Sequence, residues 1–160
     1  LGGAVLSVRT APHRYRPTPI AVHPSLRFVF LVPDFEVRTS VARAVLPATI
    51  AYDVAVNAAG RAAALIAGLQ TADAAILAPA LDDVLHVPFR RSLIGGYDIV
   101  TTAAIDAGAI GATLSGSGSS IVAVARREVA ERVRDAARNA WRSAGGISMY
   151  SPAAGMRRTR

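Results

Sequence analysis

The sequence contains no cysteine and no lysine among its 160 residues. Without cysteine, neither a disulfide framework nor a thiolate metal site can form, which is typical of proteins of the reducing cytoplasm. Without lysine, the GxxxxGK[ST] phosphate loop is excluded, because that motif depends on a lysine ammonium group. All 18 basic residues are therefore arginines, and they give the chain a formal net charge of +7.

Aromatic residues and long apolar runs are also scarce. The few aromatic side chains do not alternate with the arginines as a base-stacking platform requires, so we expect no nucleic-acid partner. The longest apolar runs, such as Leu26–Val32 and Ile121–Ala125, fall far short of the roughly 20 residues that a membrane-spanning helix needs. The three histidines lack the spacing of metal ligands, so we expect neither a membrane partner nor a metal site in this chain.

The chain nevertheless has ample material for a core, because 52% of its residues are hydrophobic. Several helices are predicted between the first two strands, and we treat them as insertions. The remaining order is strand, helices, strand, strand, helix, strand, which predicts an α+β domain of the ferredoxin-like, split βαβ type. Its sheet would be antiparallel with helices on one face, the strands being 26–32, 112–114, 120–125 and 147–150 and the last helix 128–143.

Local patterns give further expectations for the first half of the chain. Residues 1–8 alternate as a short strand, and the Pro- and Arg-rich stretch 9–25 is typical of a surface loop. Thr39 is a candidate N-cap for a short helix that ends before Pro47. The Ala-rich helix 52–69 is apolar on nearly all sides, so we expect it to be largely buried.

The run of alternating serine and glycine at residues 115–119 is the most informative single feature. Glycine permits backbone conformations that let successive N–H groups point at one anion, and serine hydroxyls add further donors, so a phosphate site is one interpretation. A plain Gly-rich connection between two antiparallel strands is the other interpretation, because Gly-rich loops are weak motifs. The spacing of the serines and glycines leaves both interpretations open.

Arginines at two separate places form a second candidate site. Thr39 and Arg43 are four residues apart on one predicted helix, so their side chains leave the same face. Arg90 ends another predicted helix, 81–90. Two guanidinium groups and a threonine hydroxyl suit a small carboxylate, although ordinary surface arginines are the simpler alternative. The pair Asp82–Asp83 is a candidate for acid–base chemistry, but helix capping or solvation is the favoured explanation, because neighbouring helical residues point apart.

Five segments in order resemble one enzyme family. They are Leu1–Val5 with its Leu-Gly-Gly, Pro33–Pro47 with Thr-x-x-Ala-Arg and Leu-Pro, Asp53–Asn57, Leu85–Arg90 with His-x-Pro-Phe-Arg, and Gly111–Ser120. Together these segments resemble the GHMP kinases, the superfamily of galactokinase, homoserine kinase, mevalonate kinase and phosphomevalonate kinase. The combination of Thr-x-x-Ala-Arg with His-x-Pro-[Tyr/Phe]-Arg is most similar to the homoserine kinases.

The resemblance implies a function and a division of the chain. Residues 1–25 would be the end of an N-terminal kinase domain with a connecting loop, and residues 26–160 would be the C-terminal domain. The whole enzyme would be a cytoplasmic homodimer that phosphorylates L-homoserine with ATP and Mg2+ in threonine biosynthesis. By the same resemblance, Thr39, Arg43 and Arg90 would bind L-homoserine, and Ser115, Gly116, Ser117, Gly118 and Ser119 would lie beside the nucleotide phosphates.

Departures from the family pattern limit these expectations. The family's Gly-Leu-Gly-Ser-Ser phosphate loop and its acidic metal ligand do not occur, so we expect the catalytic groups and most ATP and Mg2+ contacts in an absent N-terminal part, and no activity from this chain alone. Ser119 replaces a usual proline, and Phe89 replaces a usual tyrosine. Two alternatives stay open: a mevalonate- or sugar-type kinase of the same superfamily, and a non-enzymatic ferredoxin-like module that binds an amino acid.

Overall fold

The computed structural model describes residues 4–145 and 149–150, which form six strands and six helices. The strands are β1 Ala4–Ala11, β2 Arg14–Ile20, β3 Leu26–Pro33, β4 Ala109–Leu114, β5 Ile121–Arg126 and β6 Met149–Tyr150. The helices are α1 Thr39–Ala44, α2 Tyr52–Thr71, α3 Ala74–Leu81, α4 Val87–Arg90, α5 Tyr97–Asp106 and α6 Ala130–Gly145, with 3-10 turns at Arg91–Leu93 and Arg127–Val129. No helix of this part of the chain is long and apolar enough to cross a membrane.

Four of the strands form one antiparallel sheet in the order β4-β5-β3-β6. The central strand β3 pairs with β5 from Leu26 opposite Arg126 to Leu31 opposite Ile121. Strand β5 pairs in turn with β4, and the two residues of β6 pair with the end of β3. This strand order and the intervening helices confirm the predicted ferredoxin-like α+β class. Of the last predicted strand, residues 147–148 lie outside the described residues.

The main core lies between one face of this sheet and the helices α5 and α6. Val29 and Leu31 alternate along β3 and point to the same face, because successive strand residues point to opposite faces. Helix α6 is amphipathic and presents Val133, Ala137 and Trp141 to them, all fully buried. The indole N–H of Trp141 donates a 2.9 Å hydrogen bond to the Gly95 carbonyl, so this large side chain is buried without an unpaired polar group.

A second, smaller core lies on the opposite face of the sheet. Leu26 and Val124 point there and pack with Leu69, Leu77 and Leu81 from the end of α2 and from α3. The expectation of helices on one face is therefore wrong, because β3 and β5 carry apolar side chains on both faces. The second layer covers only one end of that face. Phe28 and Phe30, on the same face of β3, remain 40% and 49% exposed.

Residues 4–20 form a two-stranded ribbon, β1–β2, in place of much of the predicted surface loop. Leu6 opposite Thr18 and Ser7 opposite Pro17 lie near the middle of its antiparallel register. The prediction of a loop at 9–25 is wrong for most of its length, because a Pro- and Arg-rich composition favours a loop without excluding an edge strand. Proline is compatible with an edge strand whose outer side needs no N–H donor. Residues 1–3 of the predicted first strand lie outside the described residues.

Helix α2 is long, as predicted, but it is not largely buried. Only Gly68 and Leu69, in its last turns, are buried, whereas Tyr52 in the first turn is 86% exposed. Its alanines suggested a core helix, but alanine also has the highest intrinsic helix propensity and occurs in exposed helices for that reason. The pattern of apolar residues therefore predicted the helix correctly and its environment incorrectly.

Candidate functional site

The serine and glycine run is the turn that joins β4 to β5. The Ser115 N–H donates a 2.8 Å hydrogen bond to the Ser120 carbonyl and closes this turn. Gly116 has a φ of +67°, a left-handed conformation that L-residues with a side chain rarely adopt. A Cβ atom placed on Gly116 or Gly118 would meet nothing within 4 Å. The run is thus a strand connection, and the space beside both glycines is open.

Helix α1 brings the Thr39 side chain to this turn. The Thr39 hydroxyl oxygen lies 3.3 Å from that of Ser117, although the two residues are 78 positions apart in the sequence. Thr39 is not the N-cap that we expected. The N-cap is Arg38, which makes no side-chain capping bond, and Thr39 is the first residue of the helix. Its hydroxyl therefore faces the serine and glycine turn and not the helix end.

Arg90, at the end of α4, joins α1 to the same turn. Its side chain is 7% exposed, and its Nε atom donates a 2.9 Å hydrogen bond to the Ala42 carbonyl in α1. Its Nη1 atom donates to the Gly116 carbonyl at a nitrogen-to-oxygen distance of 3.5 Å. A guanidinium group has five N–H donors, so three remain for another partner. Arg90 is therefore both a link between two elements and a possible anion ligand.

Arg43 lies one helical turn beyond Thr39 and has a different environment. Its side chain is exposed, in contrast to that of the neighbouring Ala42, which is fully buried. Within the described residues the Arg43 guanidinium forms no hydrogen bond and no ion pair. All five of its N–H donors can therefore face a ligand beside α1. This suits bidentate hydrogen bonding of the Arg43 guanidinium to a carboxylate.

The segment before α4 is fixed by Asp83, which the sequence left open as an acid–base candidate. One carboxylate oxygen accepts hydrogen bonds from the N–H groups of Leu85 and His86, at 2.6 and 2.7 Å, and the other lies 3.1 Å from the His86 ring. Burial alone would raise the pKa of Asp83, but these hydrogen bonds outweigh it and hold the pKa below its usual value. A carboxylate that stays ionised is a structural anchor for α4 and a poor proton donor.

The predicted short helix 81–90 is consequently wrong as a single element. Helix α3 ends at Leu81, the Asp83 turn follows, and α4 starts at Val87 with Pro88 in its first turn. Proline is tolerated there because the first N–H groups of a helix have no partner within the helix. The interruption decides where Arg90 points.

A cleft of about 190 Å3 lies beside this turn, between α2 and the end of α3. Arg61 donates to Asn57 at 2.9 Å and forms a 2.6 Å ion pair with the Asp82 carboxylate, and it also contacts the Asp82 carbonyl. The charged groups of this cleft are thus largely paired with one another. None of the predicted substrate or phosphate residues lines the cleft. Its walls are formed by Ala58, Arg61, Ala62, Ala80, Asp82, Asp83, Val84, Leu85 and His86.

The assembled groups suit anions and not a cation. Around the serine and glycine turn the structure brings together two hydroxyls and the guanidinium of Arg90, with the Arg43 guanidinium on the same helix as Thr39. Within residues 4–145 and 149–150 no group of three His, Asp or Glu side chains could hold a metal ion. The chemistry of this donor set fits a carboxylate or phosphate, and it does not fit Mg2+.

Sequence patterns alone missed what holds this site together. The contacts from Arg90 to Ala42 and Gly116 span 48 and 26 residues, and no local spacing rule predicts such a link. The signal that was present is the proline in the first turn of α4 followed by an arginine at its end, which fixes the helix and its last side chain.

Comparisons with known proteins show the family of this chain. The family described as GHMP kinases C terminal matches residues 54–143. A homoserine kinase of Gloeobacter violaceus is 45% identical over 130 residues, which are 81% of this chain and 42% of that protein. A homoserine kinase of Picosynechococcus is 41% identical over 145 residues, 91% of this chain and 47% of that protein. The chain therefore spans a little under half the length of these curated relatives.

Solved structures give the same result. The crystal structure of a homoserine kinase from Cytophaga hutchinsonii superposes with a TM-score of 0.84 and 34% identity, covering 93% of this chain and 47% of that one. A mevalonate kinase of L. major has a TM-score of 0.67 at 18% identity, which shows a shared fold only. The family match covers more than half of the chain. This chain belongs to the GHMP kinase family and carries its C-terminal domain.

Proposed function

We propose that this chain is the acceptor-binding part of a homoserine kinase, which transfers the γ-phosphoryl group of ATP to L-homoserine and forms O-phospho-L-homoserine. The observation that carries the proposal is the convergence of α1, α4 and the serine and glycine turn around Arg90. The homoserine kinases among the relatives, at 45% and 41% identity, support this acceptor over others. We place the whole enzyme in threonine biosynthesis in the cytoplasm, as a homodimer.

Thr39, Arg43 and Arg90 would bind the amino-acid acceptor. The exposed Arg43 guanidinium and the remaining donors of Arg90 would hold the carboxylate of L-homoserine, and the Thr39 hydroxyl would add a contact. Held at that end, the amino acid can direct its side-chain hydroxyl toward the phosphates. Such positioning accounts for much of the catalysis in phosphoryl transfer.

The turn Ser115–Ser119 would lie beside the phosphates of ATP. Its hydroxyls and N–H groups are donors, and the open space at Gly116 and Gly118 allows a close approach of phosphate oxygens. When bound, ATP supplies the phosphoryl group that is transferred. Thr39 and Ser117, whose hydroxyls lie 3.3 Å apart, would connect the acceptor end of the site to the phosphate end.

We propose that the rest of the catalytic machinery lies in an N-terminal domain to which residues 1–25 belong, with residues 26–160 as the C-terminal domain. The described residues provide no metal cluster, and the pKa of Asp83 is lowered, which makes this carboxyl a poor proton donor. Mg2+ and most contacts to ATP would then come from that domain. The 160-residue chain would have no kinase activity by itself.

Arg43→Ala in the complete kinase tests the assignment of the acceptor. Loss of charged hydrogen bonds to a carboxylate costs about 2 kcal/mol, so the KM for L-homoserine should rise on the order of thirtyfold, with the KM for ATP nearly unchanged. Arg91→Ala is the matched control, because Arg91 is an exposed neighbour of Arg90 whose partner is Asp98. Equal KM values for wild type and Arg43→Ala would remove Arg43 from the proposed site.

Two further measurements separate the rival functions. Turnover of mevalonate or a sugar, with none of L-homoserine, would show a different acceptor within the same family. Calorimetric titration of the 160-residue chain with L-homoserine tests the binding-module alternative. Binding of the amino acid by a complete protein that never consumes ATP would replace the kinase proposal with that alternative.

A further inference from the structure

A short series of hydrogen bonds connects Asp83 to the side chain of Arg90. The Asp83 carboxylate holds His86 at two points, through the His86 N–H at 2.7 Å and through the ring Nδ1 atom at 3.1 Å. The His86 carbonyl in turn accepts a 3.0 Å hydrogen bond from the Arg90 N–H. The Arg90 guanidinium then donates to the Ala42 carbonyl at 2.9 Å. A single residue, His86, therefore links Asp83 to the proposed acceptor site.

Helix α4 cannot maintain this arrangement by itself. It has only four residues, Val87–Arg90, and a single helical turn is unfavourable because its few hydrogen bonds do not offset the entropy lost in ordering the backbone. Its N-cap residue, His86, makes no side-chain capping bond. The Asp83 carboxylate acts from outside the helix, since it accepts hydrogen bonds from the N–H groups of Leu85 and His86. The position of α4 therefore depends on the residue three positions before its N-cap.

The charge of Asp83 contributes to the strength of these contacts. Burial would raise the pKa of Asp83, but the hydrogen bonds from His86 and Leu85 hold the pKa below its usual value, so the carboxylate is ionised at neutral pH. Hydrogen bonds to an ionised acceptor are about twice as strong as those between neutral groups. A neutral amide in place of this carboxylate would therefore keep its shape and weaken its hold on His86.

The neighbouring Asp82 provides a comparison within the same turn. The Asp82 side chain is 74% exposed and pairs at 2.6 Å with Arg61 of α2, whereas the Asp83 side chain is 31% exposed. Within the described residues, Arg61 is the one hydrogen-bond partner of the Asp82 carboxylate. The two adjacent carboxylates thus connect the turn to different elements, Asp82 to α2 and Asp83 to α4.

We propose that Asp83 is a positioning residue for acceptor binding, which orients Arg90 through His86 and so determines how well the Arg90 guanidinium meets the carboxylate of the acceptor. Asp83 itself does not touch the acceptor. The inference rests on the proposed function, because it requires that Arg90 binds L-homoserine. A displacement of the guanidinium by about 1 Å is enough to lower the affinity for the acceptor strongly.

Asp83→Ala and Asp83→Asn in the complete kinase test the proposal. Asp83→Ala removes the contacts to His86, so the KM for L-homoserine should rise about tenfold, with kcat and the KM for ATP changing by less than about twofold. Asp83→Asn keeps an oxygen that accepts the N–H bonds but loses the charge, so the rise should be about threefold. Asp82→Asn is the matched control, because its carboxylate contacts Arg61 and not α4, and it should leave the KM unchanged.

A double variant shows whether the effect passes through Arg90. If Asp83 acts by orienting Arg90, Asp83→Ala should raise the KM no further once Arg90→Ala is present, so the double variant should match Arg90→Ala alone. A general loosening of the fold would instead add to the effect of Arg90→Ala. Unchanged Trp141 fluorescence would show that the variants keep the folded core. If Asp83→Ala does not fold, Asp83→Asn with and without Arg90→Ala decides the same question.

Other results overturn the proposal. An unchanged KM for L-homoserine in both Asp83 variants, beside a raised KM in Arg90→Ala, removes the positioning role and leaves the proposed function intact. Equal rises for Asp82→Asn and Asp83→Asn, or additive effects in the double variant, show that Asp83 has only a structural role. A wild-type KM in Arg90→Ala contradicts the acceptor site of the proposed function, and the positioning role falls with it.

Discussion

The chain contains two antiparallel sheets of very different character. The β1–β2 ribbon and the four-stranded sheet use the same main-chain hydrogen bonding, with seven residue pairs between β1 and β2 and six between β3 and β5. In the larger sheet, Leu31 and Ile121 are almost completely buried under α5 and α6, whereas every described residue of the ribbon is partly or fully exposed. Hydrogen bonding alone therefore does not account for the stability of a sheet. Burial of apolar side chains under a covering layer of helices contributes most of it.

The difference has consequences for function. The candidate site is at the end of the covered sheet, where the β4–β5 turn is held by Arg90 and by a closed hydrogen bond. Support from helices and strands suits a binding site, because its groups must be held within about 0.5 Å of the productive geometry. The ribbon has no comparable support in the described chain, and we expect it to open first.

Trp141→Ala should show the largest contrast between the two regions. Trp141 is fully buried and packs edge-on against Phe35, with ring centroids 6.4 Å apart. We expect the free energy of unfolding to fall by about 3–5 kcal/mol, measured by urea denaturation. Phe30→Ala, on the uncovered face of the same sheet, is the control and should cost about 1 kcal/mol. Equal losses would mean that the covering helices contribute little.

Gly68→Ala sharpens the comparison within a single helix. A Cβ atom on Gly68 would lie 2.7 Å from Leu77 Cγ, a fully buried side chain, so we expect a loss of about 1–3 kcal/mol from overpacking. Gly60, in the exposed part of α2, has nothing within 4 Å of that position. Gly60→Ala should stabilise the chain by up to about 1 kcal/mol. Thermal melting of both variants would check these opposite signs.

Alkaline pH gives a smaller and graded effect on the covered region. Burial raises the pKa of Tyr97 to about 12 from an ordinary value of 10.0, and the nearby Asp98 adds to the effect. Between these values the unfolded chain binds fewer protons, so stability is complete below about pH 10 and falls as pH rises, by up to about 1.4 kcal/mol per unit. No lysine or cysteine titrates in this window.

Tyr97→Phe isolates that effect. Urea denaturation at a series of pH values from 9 to 11.5 should show a flatter dependence for this variant than for the wild type. Identical slopes would mean that Tyr97 ionises in the folded chain as easily as in the unfolded chain, which would contradict its burial.

Tyr15→Ala in the ribbon should have the smallest effect. Tyr15 is 62% exposed, so its truncation should change the global free energy of unfolding by less than about 0.5 kcal/mol. Hydrogen exchange should also be faster for the ribbon amides than for those of β3 and β5. A loss above 1 kcal/mol would show that the ribbon is part of the cooperative core, and the contrast between the two sheets would then be wrong.

Much of the site could be predicted without coordinates, but its assembly could not. Thr39, Arg43 and Arg90 were selected as a group by residue type and spacing, and the structure brings Thr39 and Arg90 to one turn. Their separate contacts were beyond prediction, because they join residues far apart in sequence. Whether these residues bind L-homoserine stays a prediction.

The sequence by itself determined the local elements and their order, because the period of apolar residues, the prolines and the glycines act over a few residues. It determined in this way the ferredoxin-like class, the glycine turn between β4 and β5, and the helix that carries Arg43. Only the tertiary structure decided that α2 is mostly exposed, that helices lie on both faces of the sheet and that Arg90 is buried. These features depend on which distant surfaces meet, and burial is a property of the assembled layers and not of any one segment.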